Sequence, residues 1–443
     1  MAFLGRVTGE DGLEERLQSL ARYAGPRICF VNRYFYPDVA ATGQLLADLA
    51  FDVAERGHSV RVITSRQRYE DSTARLPPRE FVRGLEIIRV RTPRFGRARL
   101  LGRALDYVGF YVAAGAALLM NTRQHDVIVA MTDPPLISVV AALVAQVRGA
   151  RLINWVQDVF PEVAVALGVR GSAVLVPMLQ ALRNRAARSA EANVVLGRTM
   201  ARRLTERGTP AQTVVIVHNW ADGQGIRPIP HQQNALRVEW RLQDKFVVAY
   251  SGNMGRAHEF ETILQIASVL RNEARFLFLF IGDGAKRTWI EREIRLRRLK
   301  NVVFKPYQMR DMLAQTLSVA DIHVISLQPA LEGLIIPSKF YGVAAAGRPV
   351  LYVGDPNGEI GSIIRSADCG FGVGVGEAVP AAEFLRALIA NPARADQLGR
   401  NARRVFDEHY DRRFALASWR RVIGVDEDIA DHQAAAQHLP GSI

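Results

Sequence analysis

Leu331-Glu-Gly-Leu-Ile-Ile-Pro-Ser-Lys-Phe-Tyr-Gly-Val-Ala-Ala-Ala-Gly-Arg-Pro-Val350 follows a short apolar run, Ile322 to Ile325, and a loop, Ser326 to Ala330. Pro337 suits the first turn of a helix, where its missing N–H would have no intrahelical partner anyway. Ser338 and Lys339 then fall in that turn, where free backbone N–H groups and the helix dipole favour an anion. Ala344 to Ala346 allow close packing, Gly347 stops the helix, and Arg348-Pro349-Val350 leads into the next strand. Strand, loop, helix and strand in this order build half of a nucleotide site. The same order also suits an ordinary α/β unit with a solvated lysine.

Two further glycine turns follow apolar runs in this half: Ser251-Gly-Asn-Met-Gly-Arg256 after Phe246–Tyr250, and Gly282-Asp-Gly284 after Phe276–Ile281. Strands are also predicted at Val302–Lys305, Val350–Tyr352 and Gly372–Val375. In an open α/β sheet such turns converge on the crevice at the strand ends. Glycine there lets backbone N–H groups approach phosphate oxygens, with Arg256 and Lys339 as countercharges.

The other half repeats the pattern. Arg27-Ile-Cys-Phe-Val-Asn32 reads as a buried strand, Arg33–Thr42 as an aromatic loop with Tyr34 and Tyr36, and Gly43–Arg56 as a helix. Strands are predicted at Ser59–Thr64, Leu85–Val90, Val127–Met131, Leu152–Trp155, Ala192–Leu196 and Val214–Val217. The first loop lacks G-x-G-x-x-G, which argues against a dinucleotide site. Residues 223–236 carry Gly, Pro, Gln and Asn without periodicity and read as a linker. Helices near Ala381–Ile389 and Ala393–Glu408 precede a final aromatic helix containing Phe414, Leu416 and Trp419.

The 443 residues allow two domains. A composition of 49% apolar and 23% charged residues describes a folded chain. Cys29 and Cys369 match no metal spacing and fit a reducing compartment. No signal peptide or run of ~18 apolar residues is read. The net charge of +13 suits anionic partners, yet no nucleic-acid module is visible, so no nucleic-acid partner is expected. Arg89, Arg91, Arg94, Arg97, Arg99 and Arg103 crowd the approach to the apolar run Tyr107–Met120. That run fits either an interfacial anchor or a buried core helix.

Pro-Ser-Lys-x-Tyr-x-x-x-Ala-Ala-Gly-x-Pro-Val from Pro337 to Val350, with Trp155-Val-Gln-Asp-Val-Phe-Pro-Glu162, resembles the family-4 retaining glycosyltransferases, in the branch that builds bacterial surface polysaccharides. The resemblance spans roughly Arg27 to Tyr410. It implies an α/β fold of the GT-B type: two Rossmann-like doubly wound domains facing a cleft, with a C-terminal helix crossing back to the first. The division expected is an extension (1–26), an acceptor-side domain (27–222), the linker (223–236), a donor domain (237–410), the crossing helix (411–430) and a tail (431–443). The two connections would act as a hinge.

The resemblance also implies transfer of a sugar, with retention, from a nucleoside-diphosphate sugar to a polyprenyl-linked or saccharide acceptor. Donor contacts are expected from Gly252, Asn253, Gly255, Arg256, Gly282, Gly284, Tyr307, Gly333, Ser338, Lys339, Tyr341 and Glu359. Asp158 and Glu332 are the catalytic candidates, and Tyr34, Tyr36, Thr42 and Gly43 are the acceptor-side candidates, although the loop aromatics equally suit packing. Relatives carry two glutamates eight positions apart, but here Gly342 stands at the second position and Leu334 at the first. Glu332 and Glu359 are the candidate replacements. Asp158 equally suits a helix cap, and His258 either donor phosphates or packing. No Asp-x-Asp pair is placed for a metal, so neither metal nor cofactor is expected. A cytoplasmic location, peripheral on an anionic membrane, follows. The alternatives are a nucleotide-sugar epimerase of the same fold and a non-catalytic sugar-nucleotide-binding paralogue.

Overall fold

The computed structural model describes residues 25–425 apart from 39, 70, 72–74, 94, 96–99, 170 and 171. The expected N-terminal extension, except for residues 25 and 26, the end of the expected crossing helix (426–430) and the tail (431–443) lie outside these residues.

The first half contains β1 (Ile28–Val31), α1 (Ala41–Glu55), β2 (Val60–Ser65), β3 (Arg79–Val82), β4 (Leu85–Val90), α2 (Leu100–Asn121), β5 (Val127–Ala130), α3 (Ile137–Arg148), β6 (Arg151–Trp155), α4 (Glu162–Ala166), α5 (Ser172–Ser189), β7 (Ala192–Val195), α6 (Arg198–Thr205) and β8 (Val214–Ile216). Its eight strands run in the order β3-β4-β2-β1-β5-β6-β7-β8. All pairs are parallel except β3 with β4. The central strands are near-continuous apolar runs because helices cover both faces. The sequence reading passed over β3. Four residues after a Pro-Pro pair give little period-two signal, and β3 is held partly by charge: Glu86 on β4 is fully buried between Arg61 and Arg79.

The second half contains α7 (Ala235–Glu239), β9 (Phe246–Ser251), α8 (Glu261–Val269), β10 (Phe276–Ile281), α9 (Arg287–Leu296), β11 (Val302–Lys305), α10 (Leu313–Ser318), β12 (Ile322–Ser326), α11 (Lys339–Ala345), β13 (Val350–Val353), α12 (Glu359–Ala367), β14 (Gly370–Val373), α13 (Ala378–Ala390), α14 (Pro392–His409) and α15 (Arg412–Ile423). Six parallel strands run β11-β10-β9-β12-β13-β14. Strand order reverses between β1 and β5 in one sheet and between β9 and β12 in the other. Ligands of doubly wound sheets bind outside such points.

The crossing helix is present. Trp419 is fully buried, with its ring 4.4 Å from that of Trp155, which stacks on Trp220 at 5.8 Å. Arg420 pairs with Asp52 of α1 at 2.7 Å. Beside the linker, Arg412 N–H donates to the Ala221 carbonyl at 3.0 Å and Gly223 N–H to Asp411 at 3.2 Å. Phe414 departs from expectation: it is 38% exposed, with the Arg413 guanidinium over its ring. It falls on the solvent side of the helix, opposite Trp419.

The seam between the domains is more solid than a bare hinge. Val195, Met200 and Leu204 of the first domain share one apolar core with Leu334, Ile336 and Phe340 of the second. Val159 N–H donates to the Leu334 carbonyl at 2.9 Å, joining the walls directly.

Candidate active site

The Pro-Ser-Lys stretch starts its helix later than expected. Pro337 and Ser338 form the turn before α11, with Phe340 N–H directed at the Pro337 carbonyl at 3.4 Å. Gly347 ends the helix as predicted, at φ +63°. The timing carries Lys339 to the end of β9. Its ammonium lies 3.0 Å from Nε2 of His258, 3.5 Å from the Asn253 carbonyl and 5.1 Å from the Tyr250 ring centre. Nδ1 of His258 lies 2.7 Å from the Ser326 carbonyl, so it carries the proton and Nε2 accepts from the lysine. Burial and the lysine charge push His258 down to about 3, which keeps the ring neutral. Burial likewise pushes the Lys339 ammonium down to about 8. No carboxylate pairs with this cation among the described residues.

The glycine turns close round the same place. Gly282 sits at φ +126°, and a Cβ there would lie 2.5 Å from the Gly252 carbonyl oxygen. At Gly284, φ +153°, a Cβ would lie 2.6 Å from the Met254 nitrogen. Both positions require glycine on conformation and on space. Gly252 lies against the Lys339 stem, and Gly255 against Asn253 and His258. Tyr307, half-exposed, bonds the Asp283 carbonyl at 3.2 Å and flanks Gly282. Arg256 is exposed, and its carbonyl accepts from Gln328. Asn253, Gly252, Gly255, Gly282, Gly284, Tyr307, Ser338 and Lys339 therefore gather at one switch point.

Three donor-side candidates lie elsewhere. Tyr341 is fully buried, its ring 5.3 Å from that of Tyr410, so it can act on a ligand only through its neighbours. Gly333, at φ +73°, packs against Arg203 and the Thr199 carbonyl of α6, a contact between domains. Glu359 is buried, and its carboxylate accepts from Thr199 N–H and Oγ1 at 2.8 and 3.0 Å, again across the seam.

Glu332 is committed as well. Its Oε1 accepts from Glu359 N–H at 2.8 Å, and burial raises its carboxyl above the usual range. Each carboxylate holds a backbone N–H at a helix start through one oxygen, Oε1 of Glu332 and Oε2 of Glu359, and keeps acceptor capacity for a donor hydroxyl.

Across the cleft, Asp158 is reached by solvent yet stands between the domain walls, bridged to the backbone of Ile335. Those surroundings, with the Asp133 carboxylate adding, raise its carboxyl to about 6. A carboxyl poised near neutrality can take a proton from a hydroxyl. In the first loop, Gly43 packs under the Tyr34 carbonyl, with a Cβ 3.0 Å away. Tyr34 is buried, Thr42 half-buried, and Tyr36 is 39% exposed against Phe51. Of these, Tyr36 offers the most surface to an acceptor. A separate cavity of about 640 Å³ is lined by Arg198, His218, Glu359, Arg365, Arg404 and Tyr410, and by none of the glycine turns.

The sequence reading left the His258–Lys339 pair open and did not find the Tyr250 ring under it. Eighty-one residues separate histidine and lysine, and no local spacing joins them.

Two family profiles match the chain. The profile of the glycosyl transferase 4-like domain covers residues 41–220, and that of the glycosyl transferases group 1 covers 232–405. The chain is 30% identical over 285 residues to the probable glycosyltransferase WbjE of Pseudomonas aeruginosa, covering 63% of this chain and 70% of that protein. It is 25% identical to the putative colanic acid biosynthesis glycosyl transferase WcaI of Escherichia coli K12, covering 75% and 84%. Among solved structures, the sucrose-phosphate synthase of Thermosynechococcus elongatus superposes with a TM-score of 0.72 at 16% identity, covering 90% of this chain and 98% of that one. The lipopolysaccharide glycosyltransferase WaaG gives 0.63 at 16% identity, covering 86% and 95%. Those two establish the GT-B fold. With paired profiles over both Rossmann-like halves and a relative at this identity, the chain belongs to the family-4 glycosyltransferases.

Proposed function

We propose that this enzyme transfers a sugar from a nucleoside-diphosphate sugar to a polyprenyl-linked or saccharide acceptor in cell-surface polysaccharide assembly, with retention and without a metal ion. The observation that carries the reading is Lys339. It is a desolvated ammonium with no carboxylate partner among the described residues, surrounded by the turns at Gly252, Gly282 and Gly284. A diphosphate supplies the missing countercharge. In this reading Lys339 and the turn N–H groups take up the charge developing on the leaving diphosphate. Asp158 orients the acceptor hydroxyl or removes its proton. The colanic acid role given for WcaI and the lipopolysaccharide role given for WaaG support the pathway class. The acceptor then places the enzyme on the cytoplasmic side of a membrane.

A second reading, a sugar-nucleotide-binding paralogue without turnover, rests on Gly342 and on the engagement of Glu332 and Glu359 within the protein. Incubation with a panel of UDP-, GDP- and dTDP-sugars, with and without extracted polyprenyl-diphosphate sugars, separates the readings. Release of nucleoside diphosphate that depends on acceptor supports transfer. Binding without release supports the paralogue, and epimerised sugar nucleotide without acceptor supports an epimerase.

A further inference from the structure

Three helices, α2, α3 and α5, cover one face of the first sheet, with α3 packed between the other two. Their inner sides are ordinary core: Phe110, Ala114 and Leu118 on α2, and Ile137 and Ala141 on α3, are fully buried. Their outer sides are also apolar. Val112 is 69% exposed, Met120 76%, Leu143 59%, Val147 72% and Met178 55%. Scattered exposed aliphatics need no explanation, but a run of them across three adjoining helices does.

Charge narrows the occupant. These three helices contain one acidic residue, Asp106, and it is buried, accepting from Phe95 N–H at 2.9 Å. Arg148, Arg185 and Arg188 are exposed there and have no carboxylate partner among the described residues. An apolar face bordered by cations and free of exposed carboxylates complements an anionic lipid surface. A second copy is a poor match, because a two-fold contact would bring these arginines towards their own counterparts.

The expected basic flank plays a smaller part. Arg89 is buried and bonds Glu80 and the Tyr36 carbonyl, so it holds the first loop. Arg94, Arg97 and Arg99 lie outside the described residues, as does the side chain of Arg103. By composition residues 104–121 could cross a membrane, but the inner side of α2 is committed to the sheet. The helix can only lie along the surface.

We infer that the α2–α3–α5 face docks on an anionic bilayer with its helices in the plane of the headgroups. The start of α2 touches the first loop, since the Arg33 guanidinium stands 5.2 Å from the Tyr107 ring. Docking thus brings the Arg33 end of the first loop towards the lipid surface. The benefit to an acceptor rests on the proposed lipid-linked substrate, whereas docking itself does not.

Flotation of the full chain with phosphatidylcholine vesicles, with and without phosphatidylglycerol, tests this. Wild type should float with the anionic vesicles and be released by salt. The variant Val112→Glu/Leu143→Glu/Val147→Glu should float roughly tenfold less, because each apolar contact is replaced by a charge facing anionic lipid. Far-ultraviolet circular dichroism and the melting temperature establish that the variant is folded; if it is not, Arg185→Glu/Arg188→Glu takes its place with the same expectation. Absence of flotation, or equal flotation by the folded variant, overturns the inference. So does a concentration-dependent dimer that the substitutions dissolve. Vesicle binding by a chain that turns over no sugar nucleotide would refute transfer and leave this inference standing.

Discussion

Replacing Lys339 by methionine should strengthen the fold and weaken the site. The lysine's ordinary value is 10.5, and desolvation lowers it to about 8. At pH 7 that difference corresponds to roughly 3 kcal/mol of unfavourable burial of the charged form. For a group lowered in this direction, the cost is fully present below the folded value of about 8 and vanishes as pH rises past 10.5. Methionine keeps the stem that packs against Gly252 and removes the charge. The ligand-free variant should therefore melt higher at pH 7, with the advantage gone near pH 10.5. Nucleoside-diphosphate binding should move the other way, since a lost charge-assisted hydrogen bond costs about 1.5–3 kcal/mol. That corresponds to a roughly 10- to 150-fold rise in Kd. Titration calorimetry with UDP, GDP and dTDP, alongside thermal unfolding over pH, reads both effects. Wild type should also take up protons on binding near pH 8, as the diphosphate restores the lysine's charge. An unchanged Kd with a higher melting temperature would refute the placement of the diphosphate beside Lys339. A lower melting temperature would refute the desolvation argument.

Asp158→Asn should leave nucleoside-diphosphate affinity unchanged and lower turnover by about 10²–10⁴-fold. Wild-type kcat/KM should fall as pH drops through about 6, where the carboxylate becomes protonated, and pH-rate profiles check both points. Activity should survive EDTA without loss, because fixed donors and cations replace a metal in the proposed mechanism; loss restored by magnesium or manganese would contradict it. Glu359→Gln removes a charge-assisted pair of bonds to Thr199, so the seam should weaken by roughly 1.5–3 kcal/mol, measured by denaturant unfolding. Trp419→Ala should cost about 3–5 kcal/mol by emptying a fully buried indole site, read in the same unfolding experiment.

Much of the fold was legible because parallel strands under helices are written as unbroken apolar runs. Phe276-Leu-Phe-Leu-Phe-Ile281 admits few other readings. The glycine turns were legible for a chemical reason: at Gly282 and Gly284 both the backbone conformation and the space exclude any side chain. The partnerships of Glu332 and Glu359 were not. They join residues separated by 27 and 160 positions, and only the packed seam brings Glu359 to Thr199. The seam itself was invisible for a related reason, since Leu334 and Ile336 are loop aliphatics with no period. Phe414 was misplaced because aromatic content identifies an amphipathic helix more readily than it identifies the buried side.

The cluster at the crossing helix makes the joint optically visible. The chain has five tryptophans, and Trp155, Trp220 and Trp419 meet there, one from β6, one beside the linker and one from α15. Stacked indoles share their excited states and are shielded from water, so their near-ultraviolet signal depends on all three segments staying together. Trp240 and Trp289 lie in the second half and give a separate background. A single unlabelled sample can thus report when the last helix leaves its seat, independently of any change at the sugar-nucleotide turns.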